Sequence, residues 1–119
     1  MKNKRVLLIV EPPSKSLDRA AWVMKTRSRK YAGMLIVSFP DFETLGRVIT
    51  GARLELIQAI RVHKPKSIKD LAKQVDRDFK NVYTDVKLLA DYGLIALKES
   101  GPRRASKPEA KFSEIVLAA

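Results

Sequence analysis

The chain has 119 residues, of which 45% are hydrophobic, enough for one domain or two very small ones, and this length excludes a large multidomain enzyme. Its 24 lysine and arginine residues against 13 aspartate and glutamate residues give a formal net charge of +11, which favours a polyanionic partner such as nucleic acid. The absence of cysteine excludes disulfides, a thiol nucleophile and a thiolate zinc site.

The N-terminal third predicts a β-α-β unit. Arg5 to Val10 is a continuous apolar run of strand type, apolar residues recur at helical spacing from Ser14 to about Lys30, and Met34 to Phe39 is again strand-like. The two strands should be parallel neighbours. Because two strands alone make a poor sheet, we expect a further strand from the C-terminal run Phe112–Leu117 or from a second copy of the chain, which would make a dimer.

No segment predicts contact with a membrane. No apolar run approaches the ~20 residues that span a bilayer, and Val6–Val10 is too short for the core of a signal peptide. We therefore expect a cytoplasmic protein.

Two helices should follow the second strand. Asp41 is placed to cap a short helix that turns four apolar side chains inward, namely Phe42, Leu45, Val48 and Ile49. Thr50 and Gly51 then open a helix that continues to His63 and buries Leu56, Ile57 and Ile60.

The stretch from Ser67 to Ile95 predicts two amphipathic helices in close succession. Ser67 and Asp70 form a capping box for the first. Asp78 is the N-cap of the second, which continues to Tyr92 and ends at Gly93. The predicted buried stripe of this second helix consists of Phe79, Val82, Val86 and Leu89.

These elements predict an α+β chain with a winged helix-turn-helix. Leu94–Lys98 and Phe112–Leu117 are predicted as the two strands of a ribbon, joined by a basic loop, so that 98–111 would form the wing. We assign residues 50–119 to this DNA-binding domain, and residues 1–49 to an N-terminal β-α-β extension that provides dimerisation or partner contacts.

The predicted interface with DNA centres on helix 79–92. At about 100° per residue, Arg77, Lys80, Thr84 and Lys87 fall opposite the apolar stripe and Asn81 at its edge. In a major groove, Asn pairs with adenine, Lys with guanine, and Thr with a thymine methyl group or a phosphate. Ser67, Lys69 and Lys73 on the preceding helix are expected at phosphates, and the wing would add Arg103, Arg104 and Lys107.

Several of these residues have alternative interpretations. Asp85 could accept a hydrogen bond from cytosine or take part in an internal ion pair. Tyr83 could be half buried in the core or donate to a phosphate. The basic cluster Lys25–Lys30 fits a second nucleic-acid contact, a face for an acidic partner, or a solvated helix end, and Trp22 fits a subunit contact or core packing.

The sequence does not predict an enzyme, and we assign no catalytic residue, cofactor or metal. His63 is the single histidine and lies at a helix end, and no glycine-rich phosphate loop is present. The nearest carboxylates, Asp76 and Asp78, are explained by turn and capping chemistry.

The segment from Ile49 to Ala119 resembles a family of small archaeal and bacterial DNA-binding proteins of MarR-like winged-helix type. The resemblance is carried by "RLELIQAI", by "SIKDLAKQVDRDFKNVYTDVKLLADYGLI" and most specifically by "DRDFKNVYTDVKLL" followed by "GLI". It implies a recognition-helix role for Arg77, Lys80, Asn81, Thr84 and Lys87. Some members of the family resemble antitoxins that repress their own operon, whereas the basic segment "KTRSRK" departs from the family pattern.

Two functional hypotheses therefore remain, and the two functions can coexist in one protein. The first is a sequence-specific, double-stranded DNA-binding transcriptional regulator, a dimeric repressor that uses helix 79–92 in the major groove. The second is an antitoxin that binds a toxin protein through its N-terminal half and autoregulates its operon. RNA binding is less favoured, because the sequence predicts no exposed aromatic pair on a sheet.

Overall fold

The computed structural model describes residues 5–12, 14–15, 34–99, 106–110 and 112–118, and it forms an α+β fold. The described elements are β1 (Arg5–Val10), β2 (Met34–Phe39), α1 (Phe42–Val48), α2 (Gly51–His63), α3 (Ile68–Gln74), α4 (Phe79–Asp91), β3 (Ala96–Glu99), β4 (Ser106–Glu109) and β5 (Glu114–Ala118). The chain divides into two units. The first contains Met1–Arg47 and Phe112–Ala119, and the second contains Val48–Lys111.

The first unit is built on a three-stranded parallel sheet with the strand order β2-β1-β5. The predicted bounds of β1 and β2 and their parallel pairing are confirmed, with Arg5 opposite Met34 and Val10 opposite Phe39. Consecutive residues Val6, Leu7 and Leu8 of the central strand are all buried. Because neighbouring side chains of a strand point to opposite faces, β1 is covered on both faces, as is typical of parallel sheets.

The C-terminal strand β5 completes this sheet. It pairs with β1 in parallel, and Arg5 forms an ion pair of 3.5 Å with its register partner Glu114. Of the two expected sources for a third strand, the chain's own C-terminus is the one that is present. The prediction that Phe112–Leu117 forms the second strand of the ribbon was wrong, and the last eight residues belong with the N-terminal unit rather than with 50–119.

The ribbon is formed by β3 and β4 instead. They pair antiparallel, with Ala96 opposite Glu109 and Glu99 opposite Ser106, so the prediction of a loop over Ser106–Glu109 was wrong. The segment "SKPE" contains Pro108 and lacks the alternation of a strand. A two-stranded ribbon has only edge strands, where proline is tolerated, so that the composition gave no reliable signal. The apolar run in β5, by contrast, is typical of a parallel strand.

The core of the second unit is made by the apolar stripes of α2, α3 and α4. Leu56, Ile57 and Ile60 are buried as predicted, and so are Ile68, Leu71, Ala72, Val82, Val86 and Leu89. The helices contact one another, and β4 contacts both α2 and α3. This arrangement fixes α4 against two helices along one face and leaves its opposite face in solvent.

Two aromatic residues were wrongly predicted to lie inward. Phe42 is 59% exposed and Phe79 is 48% exposed. Both are the first residues of their helices, α1 and α4. At a first turn the helix has no preceding turn to continue its buried stripe, so the helical period alone does not place these side chains inside.

Helix ends in both units are fixed by the capping chemistry that the sequence predicts. The amide of Thr44 donates to Asp41 Oδ1 at 2.7 Å at the start of α1, and hydrogen bonds from the Thr44 side chain and backbone lower the pKa of Asp41. At the end of α4, Gly93 has φ 81°, and Leu94 N donates to the carbonyl of Leu89 at 2.9 Å. This is a Schellman motif, in which glycine adopts the left-handed conformation without steric cost.

The predicted helix from Ser14 to about Lys30 lies almost wholly outside the described residues. The basic cluster Lys25–Lys30 and Trp22 are also outside them, so their alternative interpretations stay open.

Candidate nucleic-acid interface

The connection between α3 and α4 is a tightly fixed turn. Asp76 takes the left-handed conformation at φ 53°, its amide donates to the Lys73 carbonyl at 3.2 Å, and Arg77 N donates to the Ala72 carbonyl at 3.0 Å. These bonds close α3 with a Schellman motif whose left-handed position holds aspartate rather than glycine. Asp78 then caps α4 by accepting from Asn81 N at 3.3 Å. The predicted turn and capping roles of Asp76 and Asp78 are thus confirmed.

The start of α3 is fixed by a variant of the predicted capping box. Asp70 N donates to Ser67 Oγ at 3.0 Å, as expected. The Asp70 carboxylate accepts from the backbone amide of Lys66 at 3.1 Å, one residue before the N-cap, rather than from Ser67 itself. Both ends of this short helix therefore have defined hydrogen-bond partners, which fix the backbone that carries Lys69 and Lys73.

Asp85 lies at the centre of an ion-pair cluster that anchors α4. Its carboxylate, 13% exposed, accepts from Arg53 Nε at 3.1 Å and from Arg77 Nη2 at 2.9 Å. The pair with Arg53 ties α4 to the first turn of α2, and Arg53 also donates through Nη1 to the Val48 carbonyl at 3.1 Å, just before α2. The cluster thus connects Val48, the first turn of α2, the turn after α3 and the middle of α4.

These ion pairs decide between the two interpretations of Asp85, and they place the Arg77 side chain differently from the sequence prediction. Asp85 takes part in an internal ion pair, and its oxygens are occupied by arginines rather than turned to solvent. Arg77 was predicted to face outward, but its Nη2 points to Asp85 and its Nη1 is buried with no hydrogen-bond partner among the described residues. Arg77 is therefore better suited to hold the turn on α4 than to contact a ligand. Sequence patterns do not identify Arg53 as the second partner, because it lies 32 residues from Asp85.

The outward face of α4 has the polar and cationic character that the sequence predicts. Lys80, Asn81, Thr84 and Lys87 are all exposed. Thr84 Oγ1 donates to the Lys80 carbonyl at 2.9 Å. Because a hydroxyl has one hydrogen to donate, this bond leaves Thr84 with its methyl group and acceptor lone pairs rather than a donor for phosphate.

The side-chain amide of Asn81 has no hydrogen-bond partner within the described parts of the chain. It is therefore available to a ligand, together with the two ammonium groups of Lys80 and Lys87. A surface with an amide, two ammonium groups and a methyl group can bind hydrogen-bond donors, hydrogen-bond acceptors and methyl groups. These are the groups that base edges offer in a major groove.

Of the other predicted DNA-binding residues, four outside α4 are described and lie in the second unit with that helix. Lys69 and Lys73 are exposed on α3, and Ser67 is half-buried at its N-cap. Lys107 lies on β4, where Glu109 lies 3.9 Å from it and 3.5 Å from Lys98, so that part of the ribbon's charge is already neutralised. Arg103 and Arg104 fall outside the described residues.

Tyr83 is 44% exposed, and its ring lies beside that of Phe79 with 5.9 Å between the ring centroids. The sequence prediction missed Phe79 as a surface residue. Its position as the first residue after the N-cap Asp78 is the signal that could have indicated exposure.

Metal clusters and membrane-spanning helices were both searched for among the described residues. It contains no group of three histidine, cysteine, aspartate or glutamate residues that could hold a metal ion. None of its helices is both long and apolar enough to cross a membrane.

The fold and this surface define a small α+β protein in which α4 follows α3 after a tight turn and presents a polar, cationic face. The HVO_A0114 family matches residues 48–117, more than half of the chain, and the chain belongs to that family. The match includes α2, α3, α4, the ribbon and most of β5. No curated protein and no solved structure matches the chain significantly.

Proposed function

We propose that the protein is a sequence-specific, double-stranded DNA-binding transcriptional regulator of winged helix-turn-helix type. In this proposal α4 enters the major groove, α3 lies across the phosphate backbone, and the β3–β4 ribbon is the wing. The observation that carries the proposal is the exposed face of α4, a helix held at both ends, where Lys80, Thr84 and Lys87 lie opposite the buried stripe and Asn81 lies at the edge of the same face. The formal net charge of +11 supports a polyanionic ligand.

The proposed contacts divide into two kinds. Asn81 and Lys80, in the first turn of α4, are assigned to base edges, because the N-terminal residues of a recognition helix reach deepest into the groove. Lys69 and Lys73 on α3 are assigned to phosphates, which position the protein without distinguishing sequence. Arg77 acts in this proposal through its bond to Asp85, by holding the turn in place.

Two substitutions separate these kinds of contact. With Asn81→Ala we expect the preference for the best duplex over a mismatched one to fall by about 1–3 kcal/mol, since a bidentate amide contact would be lost. With Lys73→Ala we expect all duplexes to bind more weakly by a similar factor, and the salt dependence to flatten by about one unit. Fluorescence anisotropy over a salt series measures both quantities.

The matched control for these substitutions is Gln74→Ala, which removes an exposed, uncharged side chain at the end of α3 and should change neither quantity. If Asn81→Ala and Lys73→Ala both lowered affinity uniformly, base recognition by α4 would be wrong and the charge alone would account for binding.

We further propose that the protein acts as a homodimer through the edge of β5 that has no strand partner among the described residues. Ile115 is 36% exposed and Leu117 is 56% exposed on this edge strand, and they lie on one face of the sheet because they are two residues apart. A two-fold dimer would present two copies of α4 to two half-sites. A purely monomeric protein in sedimentation equilibrium would contradict this proposal.

The antitoxin function is the alternative proposal, and the same edge favours it. An exposed apolar strand can add a strand from an unlike chain as well as from its own copy. In that case the first unit would bind a toxin protein, and DNA binding by the second unit would regulate the operon. A complex with the product of the neighbouring gene that survived removal of both residues 1–40 and residues 112–119 would exclude this role for the first unit.

A further inference from the structure

An exposed aromatic pair borders the proposed DNA-binding face. Phe79 and Tyr83 lie one turn apart at the start of α4, their ring centroids are 5.9 Å apart and their planes are inclined by 31°. Phe79 is 48% exposed and Tyr83 is 44% exposed, although the adjacent Val82 and Val86 are fully buried. Large apolar side chains left in water cost free energy, so a paired and exposed placement calls for a function.

The rings lie next to the cations of the same helix. In projection at about 100° per residue, Tyr83 is about 40° from Phe79, Lys87 about 80° and Lys80 about 100°. The aromatic pair therefore fills the arc between the buried stripe and the lysines. A groove that encloses Lys80 and Lys87 can therefore enclose Phe79 and Tyr83 as well.

The chemistry of this arc fits one feature of duplex DNA. In the major groove every base pair offers polar atoms, but among the four standard bases only thymine offers a methyl group, at C5, and phenylalanine is among the side chains that contact it. A protein partner is less suitable, because the centres of protein interfaces are depleted in charge, whereas this pair has lysines on its exposed side.

We propose that Phe79 is a specificity-determining residue that contacts a thymine methyl group in the major groove, with Tyr83 as the positioning residue that holds its ring. This inference rests on the proposed function and adds to it a defined base preference. It predicts a thymine at a fixed position in each half-site, within reach of the first turn of α4. The hydroxyl of Tyr83 stays free to donate to a nearby phosphate.

Uracil provides the test, because it differs from thymine only by the missing methyl group. The probe is the duplex that the full-length protein selects from a random-sequence pool, made once with thymine and once with uracil at each thymine position in turn. For the wild-type protein we expect one position per half-site at which uracil weakens binding about fourfold, the value of one buried methyl group. With Phe79→Ala we expect weaker binding and equal affinity for the thymine and uracil duplexes at that position.

Two controls make the comparison specific. Phe42→Ala removes another exposed phenylalanine, at 59% exposure and outside the second unit, and should keep the wild-type preference for thymine. Tyr83→Phe retains the ring and should also keep it. Circular dichroism of Phe79→Ala should show an unchanged fold, since the residue removed is half exposed.

The outcomes separate this inference from the function on which it rests. If the wild-type protein prefers its selected duplex over a shuffled one but binds uracil and thymine duplexes alike, Phe79 does not contact a methyl group and the inference is overturned while the function stands. A thymine preference that persists in Phe79→Ala overturns it in the same way. If the pool yields no preferred duplex at all, the proposed function itself fails.

Discussion

Replacing Asp85 by alanine is expected to lower the free energy of unfolding by about 2–4 kcal/mol, because two guanidinium groups lose their shared counter-charge in a partly buried site. The Asp85 carboxylate is 13% exposed, and the side chains of Arg53 and Arg77 are 18% and 32% exposed. Solvent therefore screens the pair with Arg77 more than the pair with Arg53. Urea denaturation of the variant and the wild type measures the difference.

The control for this substitution lies on the same helix. Asp91 is exposed in the last turn of α4, and Asp91→Ala should change the free energy of unfolding by no more than about 0.5 kcal/mol. Asp85→Asn retains an acceptor without the charge and should give an intermediate loss. A change in Asp85→Ala as small as that in Asp91→Ala would show that the cluster does not stabilise the second unit.

Removing residues 112–119 is expected to unfold the first unit and to leave the second folded. The truncation deletes β5 and the buried Phe112, so that the parallel sheet keeps only β1 and β2, and two strands do not form a stable sheet in water. Hydrogen exchange should then show fast exchange of the amides of β1 and β2. The amides of α2, α3 and α4 should stay protected, because β5 is not part of their unit.

The truncation also distinguishes the two roles considered for the C-terminal strand. If Phe112–Leu117 were a strand of the ribbon, its removal would expose β3 and spare the sheet of β1 and β2. Retained protection in β1 together with lost protection in β3 would contradict the pairing of β5 with β1.

The sequence predicted the elements well wherever one face of a helix or strand is buried. The period of α4 correctly placed Val82, Val86 and Leu89 inside, and the apolar runs of β1 and β2 gave the bounds of both strands. These successes have a common cause, because burial leaves a visible pattern in a single sequence: a repeat of 3.6 residues in a helix buried on one face, and a continuous apolar run in a parallel strand buried on both faces.

Partners of elements were harder to predict than the elements themselves. An apolar run such as that of β5 shows that a strand is buried but not which strand it joins, since pairing depends on the path of the whole chain. The ion pair between Arg53 and Asp85 was equally hard to predict, because no local pattern connects residues 32 positions apart.

The exposure of the candidate residues was predicted correctly within α4 and less well at its start. The exposed Lys80, Asn81, Thr84 and Lys87 follow the helical period. Arg77 precedes the N-cap Asp78, so a projection at about 100° per residue does not apply to its side chain, which turns to Asp85 instead. Phe79 obeys the period but lies in the first turn, where the buried stripe has not yet begun.

The central claim is that α4 recognises base sequence, and one comparison of affinities tests it most directly. The full-length protein is allowed to select duplexes from a random-sequence pool, and its affinity for the selected duplex is compared with that for a shuffled duplex of equal length by fluorescence anisotropy over a salt series. We expect the selected duplex to bind about 1000-fold more tightly or better at physiological salt. A pool that does not converge, with all duplexes bound alike and released steeply by salt, would mean that the charge of +11 acts without base recognition and would contradict the claim.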